Sequence, residues 1–162
     1  MQERHVISVL VENKPGVLAR VSGMFSGRAF NIHSLAVAPT SDTKLSRMTI
    51  VTHGSEQIIE QILKQLRKLI NVLKVQDLTE GDFVEREMVL IRVKAPSSKR
   101  TEIFRMAEVF RARVIDMSHD NLTLEVSGSQ GKIEGILDLL SPVGVQELIR
   151  TGTVAIPRAK KN

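Results

Sequence analysis

The chain has 162 residues, of which 42% are hydrophobic and 25% charged, so it has ordinary globular composition and room for one medium domain or two small ones. It contains no cysteine, which excludes disulfide frameworks, thiolate zinc sites, iron–sulfur clusters and cysteine nucleophiles. A formal net charge of +5 is compatible with nucleic-acid binding, but with no Trp, no Tyr and five Phe there is little aromatic surface for stacking on bases.

Neither end of the chain indicates a membrane or an export signal. No apolar run approaches the roughly 18–20 residues that span a bilayer. Residues 1–5 lack the basic opening and cleavage site of a secretory signal. We therefore expect a cytoplasmic protein with neither a membrane nor a nucleic acid as partner, and we interpret residues 158–162 as a solvated basic tail.

The first half of the chain alternates between strand and helix patterns. Segments rich in β-branched residues and bounded by turn residues predict strands, and apolar residues at helical spacing predict helices. In chain order, the predicted elements are a strand at 5–12, a helix beginning after Gly16, strands at 30–38 and 45–53, a helix across 58–69 capped by Ser55, and a strand at 72–79.

The second half repeats the same order after a polar linker at 79–83. We expect two ferredoxin-like βαββαβ units in tandem, in the α+β class, each with both helices on one face of an antiparallel sheet. They would occupy residues 1–78 and 84–157. The predicted elements of the second unit are a strand at 88–95, a helix with Ile103, Met106, Ala107 and Phe110 as its apolar stripe, strands at 113–118 and 121–127, a helix across 133–140, and one or two strands within 145–156.

The first strand is apolar on both faces, with Val6 and Leu10 on one and Ile7, Val9 and Val11 on the other. A sheet with helices on one side does not need a second apolar face. Units of about 80 residues also have small cores. We infer that the second face is covered by another copy of the chain or a partner subunit, or else by the other unit.

A convergent catalytic or metal-binding cluster is missing from the sequence. The four histidines, His5, His33, His53 and His119, fall in separate elements without ligand-like spacing, and no phosphate loop or nucleophile elbow is present. We therefore predict no catalytic residue and no metal site. His33 lies beside the turn into the second strand.

The turn between the first strand and the first helix has the features of a site for a zwitterion. The first amides of a helix lack internal partners and favour a carboxylate. Gly16 would let a ligand approach that backbone, and the amide side chains of Asn13 and Asn31 can donate or accept hydrogen bonds. An aliphatic side chain would lie among Val17, Leu18 and Ile32. Ordinary turn and helix-capping chemistry explains the same residues equally well.

The motifs resemble the small regulatory subunit of acetolactate (acetohydroxyacid) synthase. The similarity rests on residues 11–20, on Phe25 and residues 30–32, and on residues 34–39 and 45–49, all in the first unit, which looks like an amino-acid-binding ACT domain. The rest is similar to the C-terminal domain of that family through residues 84–87, Phe104, Ile115 and residues 150–152. His33 departs from the pattern, where the family often carries Glu.

The resemblance implies a non-catalytic subunit that activates a separate catalytic subunit and makes it sensitive to valine. It implies side-by-side pairing of two ACT domains, with Asn13, Gly16, Val17 and Leu18 from one chain and Asn31 and Ile32 from the other around the effector. Thiamine diphosphate, Mg and FAD would be bound by the catalytic subunit and no cofactor by this chain. An amino-acid-responsive transcription regulator is the alternative, although no helix-turn-helix is identifiable, and a small enzyme ranks last.

Overall fold

The computed structural model describes residues 2–160, and the chain forms two compact units. The first unit runs from the N-terminus to Val84 and resumes at Thr153, and the second occupies Glu85–Gly152. The sequence pattern assigns residues 153–157 to the second unit. In the structure they belong with the first unit. Gly152 has φ +85°, and the next amide, that of Thr153, donates to the Ser34 hydroxyl at 2.9 Å. Lys161 and Asn162 of the predicted tail lie outside the described residues.

The first unit has the predicted βαββαβ order. The elements are β1 Glu3–Glu12, α1 Val17–Gly27, β2 Ser34–Pro39, β3 Leu45–Gly54, α2 Glu56–Arg67 and β4 Val72–Asp77. The sheet is antiparallel with strand order β2-β3-β1-β4, so β2 and β4 are its edges. A short 3₁₀ helix, Leu78–Glu80, follows the last strand and includes the start of the predicted linker at 79–83.

Both helices of the first unit pack on one face of its sheet. The α1 residue Phe25 and the α2 residue Ile62 are 1% and 0% exposed, and they share a core with Ile7, Val9 and Met48 of the sheet. Full burial of such side chains contributes about 1.5–3 kcal/mol each. The predicted cap of α2 is confirmed, since the Ser55 side chain accepts from the Ile58 amide.

The opposite face of β1 is covered in part by the chain itself. Val6, Val51 and Leu78 form a separate buried cluster, against which Phe83 and Ala155 pack. Ala155 lies in the segment that returns to the first unit after Gly152. The apolar second face at Val6 is therefore explained within the first unit, without another copy of the chain.

The second unit repeats the same plan. Its elements are β5 Phe83–Lys94, α3 Arg100–Phe110, β6 Arg113–Met117, β7 Asn121–Gly128, α4 Gln130–Leu140 and β8 Val145–Arg150. The antiparallel pairings give the strand order β6-β7-β5-β8. The last strand of the chain, β9 Val154–Pro157, pairs with β5 and lies in the segment that belongs with the first unit. The fold prediction, α+β with two ferredoxin-like units, is confirmed.

Strand β2 begins four residues later than the predicted strand at 30–38. Ala29 has a positive φ of 56°, and the Phe30 amide donates back to the Phe25 carbonyl at 2.9 Å. These residues therefore end helix α1 and are not free to join a sheet. Residues 30–33 therefore form the loop that leads into β2.

The same kind of backbone contact occurs separately within each unit. The turn after the first strand is tied to the following hairpin by a backbone bond, Asn13 N to Lys44 O at 2.8 Å in the first unit and Ala95 N to Asp120 O at 2.7 Å in the second. A side chain then reinforces each contact. In the second unit it is Arg100, which donates to the carbonyls of Ala95, Ser118 and His119.

Replacing Arg100 by Ala is expected to destabilise the second unit by about 1–2 kcal/mol, because three carbonyls lose a charged donor. Chemical denaturation of the full chain measures the loss. Arg105→Ala, an exposed position on the same helix, is the control and should change stability by less than about 0.5 kcal/mol. Equal effects of the two substitutions would show that the Arg100 contacts add nothing.

No helix among residues 2–160 is long and apolar enough to cross a bilayer.

Candidate functional site

Helix α1 begins without a capping side chain. Gly16 occupies the N-cap position with φ 84° and ψ −9°, and it supplies no side-chain cap bond to the first turn. The first helical bond runs from the Arg20 amide to the Gly16 carbonyl at 3.0 Å, so the amides of Leu18 and Ala19 have no helical acceptor. A Cβ at Gly16 would meet nothing within 4 Å. Backbone donors and the positive end of the helix dipole thus lie beside open space, which suits a carboxylate.

Asn13 presents an acceptor beside this helix start. Its Nδ2 donates to the Thr43 carbonyl at 2.9 Å, while its backbone amide is bound to Lys44. The side-chain amide is therefore oriented, and within residues 2–160 no hydrogen bond engages its Oδ1. Asn13 precedes the helix start by three residues, so this turn offers an acceptor oxygen as well as uncapped amides, the two kinds of group that an α-amino acid requires.

A polar network surrounds the same turn. The Asn71 side chain donates to Glu12 Oε2 at 2.8 Å and accepts from Arg20 Nη1 at 2.8 Å, and Lys14 Nζ lies 3.1 Å from the same Glu12 oxygen. The hydrogen bond from Asn71, and then the hydrogen bond and charge of Lys14, lower the pKa of the Glu12 carboxyl. Glu12 is thus held ionised, and it holds Lys14 beside the helix start.

Glu12 is expected to give the protein an acid-sensitive stability. Its folded pKa lies below the ordinary range of a glutamate carboxyl, so the stabilisation is present at neutral pH and is lost as the pH falls through the folded pKa. Glu12→Gln should be less stable than the parent at about pH 7, and the difference should close once acid has protonated Glu12 in the parent. Denaturation midpoints at several pH values measure this, and a difference independent of pH would contradict it.

Val17 and Leu18 have different environments. The Val17 side chain is 4% exposed and belongs to the core, so only its backbone is available to a ligand. Leu18 is 45% exposed and carries the aliphatic surface at this point. The prediction of two aliphatic contacts from these neighbours therefore reduces to one side chain.

Asn31 and Ile32 lie beyond the opposite end of α1. A helix of 11 residues spans about 16 Å, more than the length of a small amino acid. Asn31 is exposed, and Ile32 is half-buried against the core. Within one chain Asn13, Gly16 and Leu18 therefore lie at the start of α1, and Asn31 and Ile32 lie beyond its other end.

His33 and His53 form a pair next to Asn31 that the sequence pattern does not reveal. Their ring centroids are 4.1 Å apart with the rings edge to face, and His33 Nδ1 lies 3.5 Å from Asn31 Nδ2. Burial lowers the pKa of His53, and the charges of His33, Arg4 and His5 lower it further. The buried His53 Nδ1 has no hydrogen-bond partner among the described residues.

Across residues 2–160, no group of three or more His, Cys, Asp or Glu side chains is placed to hold a metal ion.

Both units match family models. Residues 7–74 match the model of an AHAS small subunit-like ACT domain, and residues 86–159 match the model of the small subunit of acetolactate synthase. The second model begins close to the boundary between the two units.

Curated relatives match over nearly the whole chain. A probable acetolactate synthase small subunit from Archaeoglobus fulgidus is 52% identical over 98% of this chain and 99% of its own length. An acetolactate synthase small subunit from Haemophilus influenzae is 46% identical, with 98% of each chain covered. The crystal structure of the acetolactate synthase small subunit from Thermotoga maritima superposes with a TM-score of 0.88 at 41% identity, covering 98% of this chain and 99% of that one.

Proposed function

The chain belongs to the family of acetolactate synthase small subunits, and we propose that it activates the catalytic subunit and confers feedback inhibition by valine in branched-chain amino acid biosynthesis. The observation that supports valine binding is the start of α1, where Gly16 is the N-cap and supplies no side-chain cap to the helix. The carboxylate of valine would bind the first amides of the helix, and its ammonium would donate to Asn13 Oδ1. Leu18 would contact the aliphatic side chain.

We also propose that the site is shared by two chains in a side-by-side homodimer. Strand β2 is an edge of its sheet, with Val37 42% exposed. The separation between the two ends of α1 means that Asn31 and Ile32 of one chain can join Asn13, Gly16 and Leu18 only of another. A two-fold axis would then generate two equivalent sites.

The size of valine limits its affinity. Micromolar binding corresponds to about −8 kcal/mol, or roughly −1 kcal/mol for each heavy atom of valine, close to the ceiling for very small ligands. We expect dissociation constants from tens of micromolar to millimolar. Because the site needs two chains, valine should also stabilise the dimer.

In this proposal the catalytic subunit carries out the reaction of the holoenzyme. We propose that the catalytic subunit binds thiamine diphosphate, Mg and FAD, and that this chain holds no cofactor and acts in the cytoplasm. Feedback then requires a coupling free energy between valine and the catalytic subunit, typically about 1–3 kcal/mol.

Acetolactate production by the cognate catalytic subunit tests the proposal directly. Adding this chain should raise the rate, and valine should then lower it in a saturable manner. If the chain changes neither the rate nor the valine sensitivity, the regulatory function is wrong, even where calorimetry detects valine binding.

Mixing two defective variants tests the shared site. Gly16→Asp and Asn31→Ala should each abolish valine binding alone. In a hybrid dimer one site carries both substitutions and the other carries neither. Random exchange makes about half of the dimers hybrids, so about one quarter of all sites should recover. Calorimetric stoichiometry measures the recovery, and an absence of recovery after verified chain exchange would place the site within one chain.

An amino-acid-responsive transcription regulator is not favoured, because both halves of the chain match acetolactate synthase small-subunit models.

A further inference from the structure

The chain passes between the two units at two places, after Val84 and after Gly152. The first crossing lies inside strand β5. The second follows the end of β8, where Gly152 has φ +85° and turns the backbone towards Thr153. Any covalent connection between the units therefore uses one of these two segments.

The second unit holds its side of the Gly152 turn through Thr151. The Thr151 amide donates to the Met88 carbonyl at 3.0 Å, and the Met88 amide donates to Thr151 Oγ1 at 3.1 Å. The Thr151 hydroxyl in turn donates to the Gly152 carbonyl at 2.8 Å. Beside it, Arg150 Nη1 lies 3.1 Å from Glu87 Oε1. Thr151 is therefore fixed to β5, and Gly152 is tied to Thr151.

The first unit holds the other side of the turn through Ser34. Thr153 is 6% exposed, and its amide donates to Ser34 Oγ at 2.9 Å. Buried backbone amides need an acceptor, and this one is a side chain 119 residues earlier in the sequence. Ser34 pairs with Val51 of β3, and Ala155 packs against the cluster that contains Val51. The returning segment is thus docked on the sheet at the start of β2.

Ser34 also directly follows the loop that carries the proposed effector contact Asn31. The Asn31 carbonyl accepts from Thr52 Oγ1 at 2.7 Å, and the His33 amide donates to the Val51 carbonyl at 2.8 Å. Both bonds tie the loop to β3, so the loop cannot absorb a displacement independently of the sheet. A ligand that restrains Asn31 therefore restrains Ser34 as well.

On the basis of the function proposed above, we propose that Ser34 is a positioning residue that couples effector binding to the second unit. An effector bound at Asn31 fixes the loop and the Ser34 hydroxyl. That hydroxyl holds the Thr153 amide, and the Gly152 turn passes the restraint to Thr151 and β5. Coupling requires a contact that differs between the free and liganded states, and the bond from Thr153 to Ser34 is that contact.

Separate measurements of valine binding and valine inhibition test this role. Calorimetry on the full chain should give Ser34→Ala a valine affinity within about twofold of the parent. In the reconstituted holoenzyme, its residual activity at saturating valine should rise about fivefold, as expected for the loss of one hydrogen bond. Ser34→Thr keeps a hydroxyl and should behave as the parent. Ser22→Ala removes an exposed hydroxyl that donates to the Ala19 carbonyl, and this control should change neither quantity.

Amide hydrogen exchange of residues 151–157 in the full chain reports on the returning segment directly. Saturating valine should slow this exchange several-fold in the parent, because the ordered loop holds Ser34 and the segment opens less often. In Ser34→Ala the exchange should be faster and independent of valine. This measurement needs no catalytic subunit.

The outcomes separate this role from the proposed function. Absence of valine binding, or of valine inhibition, in the parent would overturn both. Unchanged residual activity in Ser34→Ala, or exchange at 151–157 that does not respond to valine in the parent, would overturn the coupling role and leave the proposed function standing. Loss of valine binding in a folded Ser34→Ala would place Ser34 in the effector site and would also overturn the coupling role. Thermal unfolding shows that the variant is folded.

Discussion

Replacing Gly16 by Asp should raise the valine concentration for half-inhibition at least a hundredfold. The new carboxylate would occupy the space beside the first amides of α1, where the carboxylate of the effector is proposed to bind. Two like charges about 4 Å apart near a protein surface repel by about 4 kcal/mol, and each 1.4 kcal/mol is a factor of ten in affinity. The reconstituted holoenzyme, assayed across a valine titration, gives the measurement.

The backbone at Gly16 requires a matched control. Its φ of 84° costs a side-chain-bearing residue roughly 1–2 kcal/mol, although Asp and Asn accept this region better than most residues. Gly16→Asn has the same shape and the same backbone cost without the charge, so it should retain most of the valine response. If Asn and Asp abolish the response equally, the backbone is responsible and the carboxylate assignment is wrong.

Phe25→Ala should destabilise the first unit by about 3–5 kcal/mol, through the cavity left at a side chain that is 1% exposed. A domain of this size has about 5–15 kcal/mol in total, so the loss is a large share. Urea denaturation of the full chain gives the free energy of unfolding.

Leu18, on the same helix, is the matched comparison. Because its side chain is 45% exposed, Leu18→Ala should change stability by less than about 1 kcal/mol. It should weaken valine binding several-fold through lost aliphatic contact. Loss of stability in both variants, with valine binding unchanged in Leu18→Ala, would place Leu18 in the core and outside the site.

Periodicity was sufficient to predict the helices because each has one buried face, and the apolar stripe of α2 follows from the burial of residues such as Ile62. Strand β1 is buried on both faces, at Val6 as well as Ile7, so its β-branched composition rather than alternation made it predictable. The start of β2 was wrong because the helix end at Ala29 adopts a left-handed conformation, which a propensity argument does not indicate for Ala. Predicted boundaries are therefore weakest where a connection is shaped by a few backbone angles.

The sequence predicted the backbone conformation of the candidate site better than the burial and contacts of its side chains. Gly16 stands at the helix start because a left-handed residue is needed there, and that signal is local. The burial of Val17 and the exposure of Leu18 depend on how α1 is rotated over the sheet, which two adjacent apolar letters do not indicate. The contact between His33 and His53 depends on strand register, and the two residues are 20 positions apart in the sequence.

The return of Thr153 and Ala155 to the first unit has a consequence for biosynthesis. During translation, Val6 and Val51 are made early, but Ala155, which packs against their cluster, leaves the ribosome only after the whole second unit. Domains generally fold as they emerge, at about 5–20 residues per second. For several seconds the nascent first unit therefore has Phe83 but not Ala155 against this cluster, so its packing is completed only after the second unit has been made.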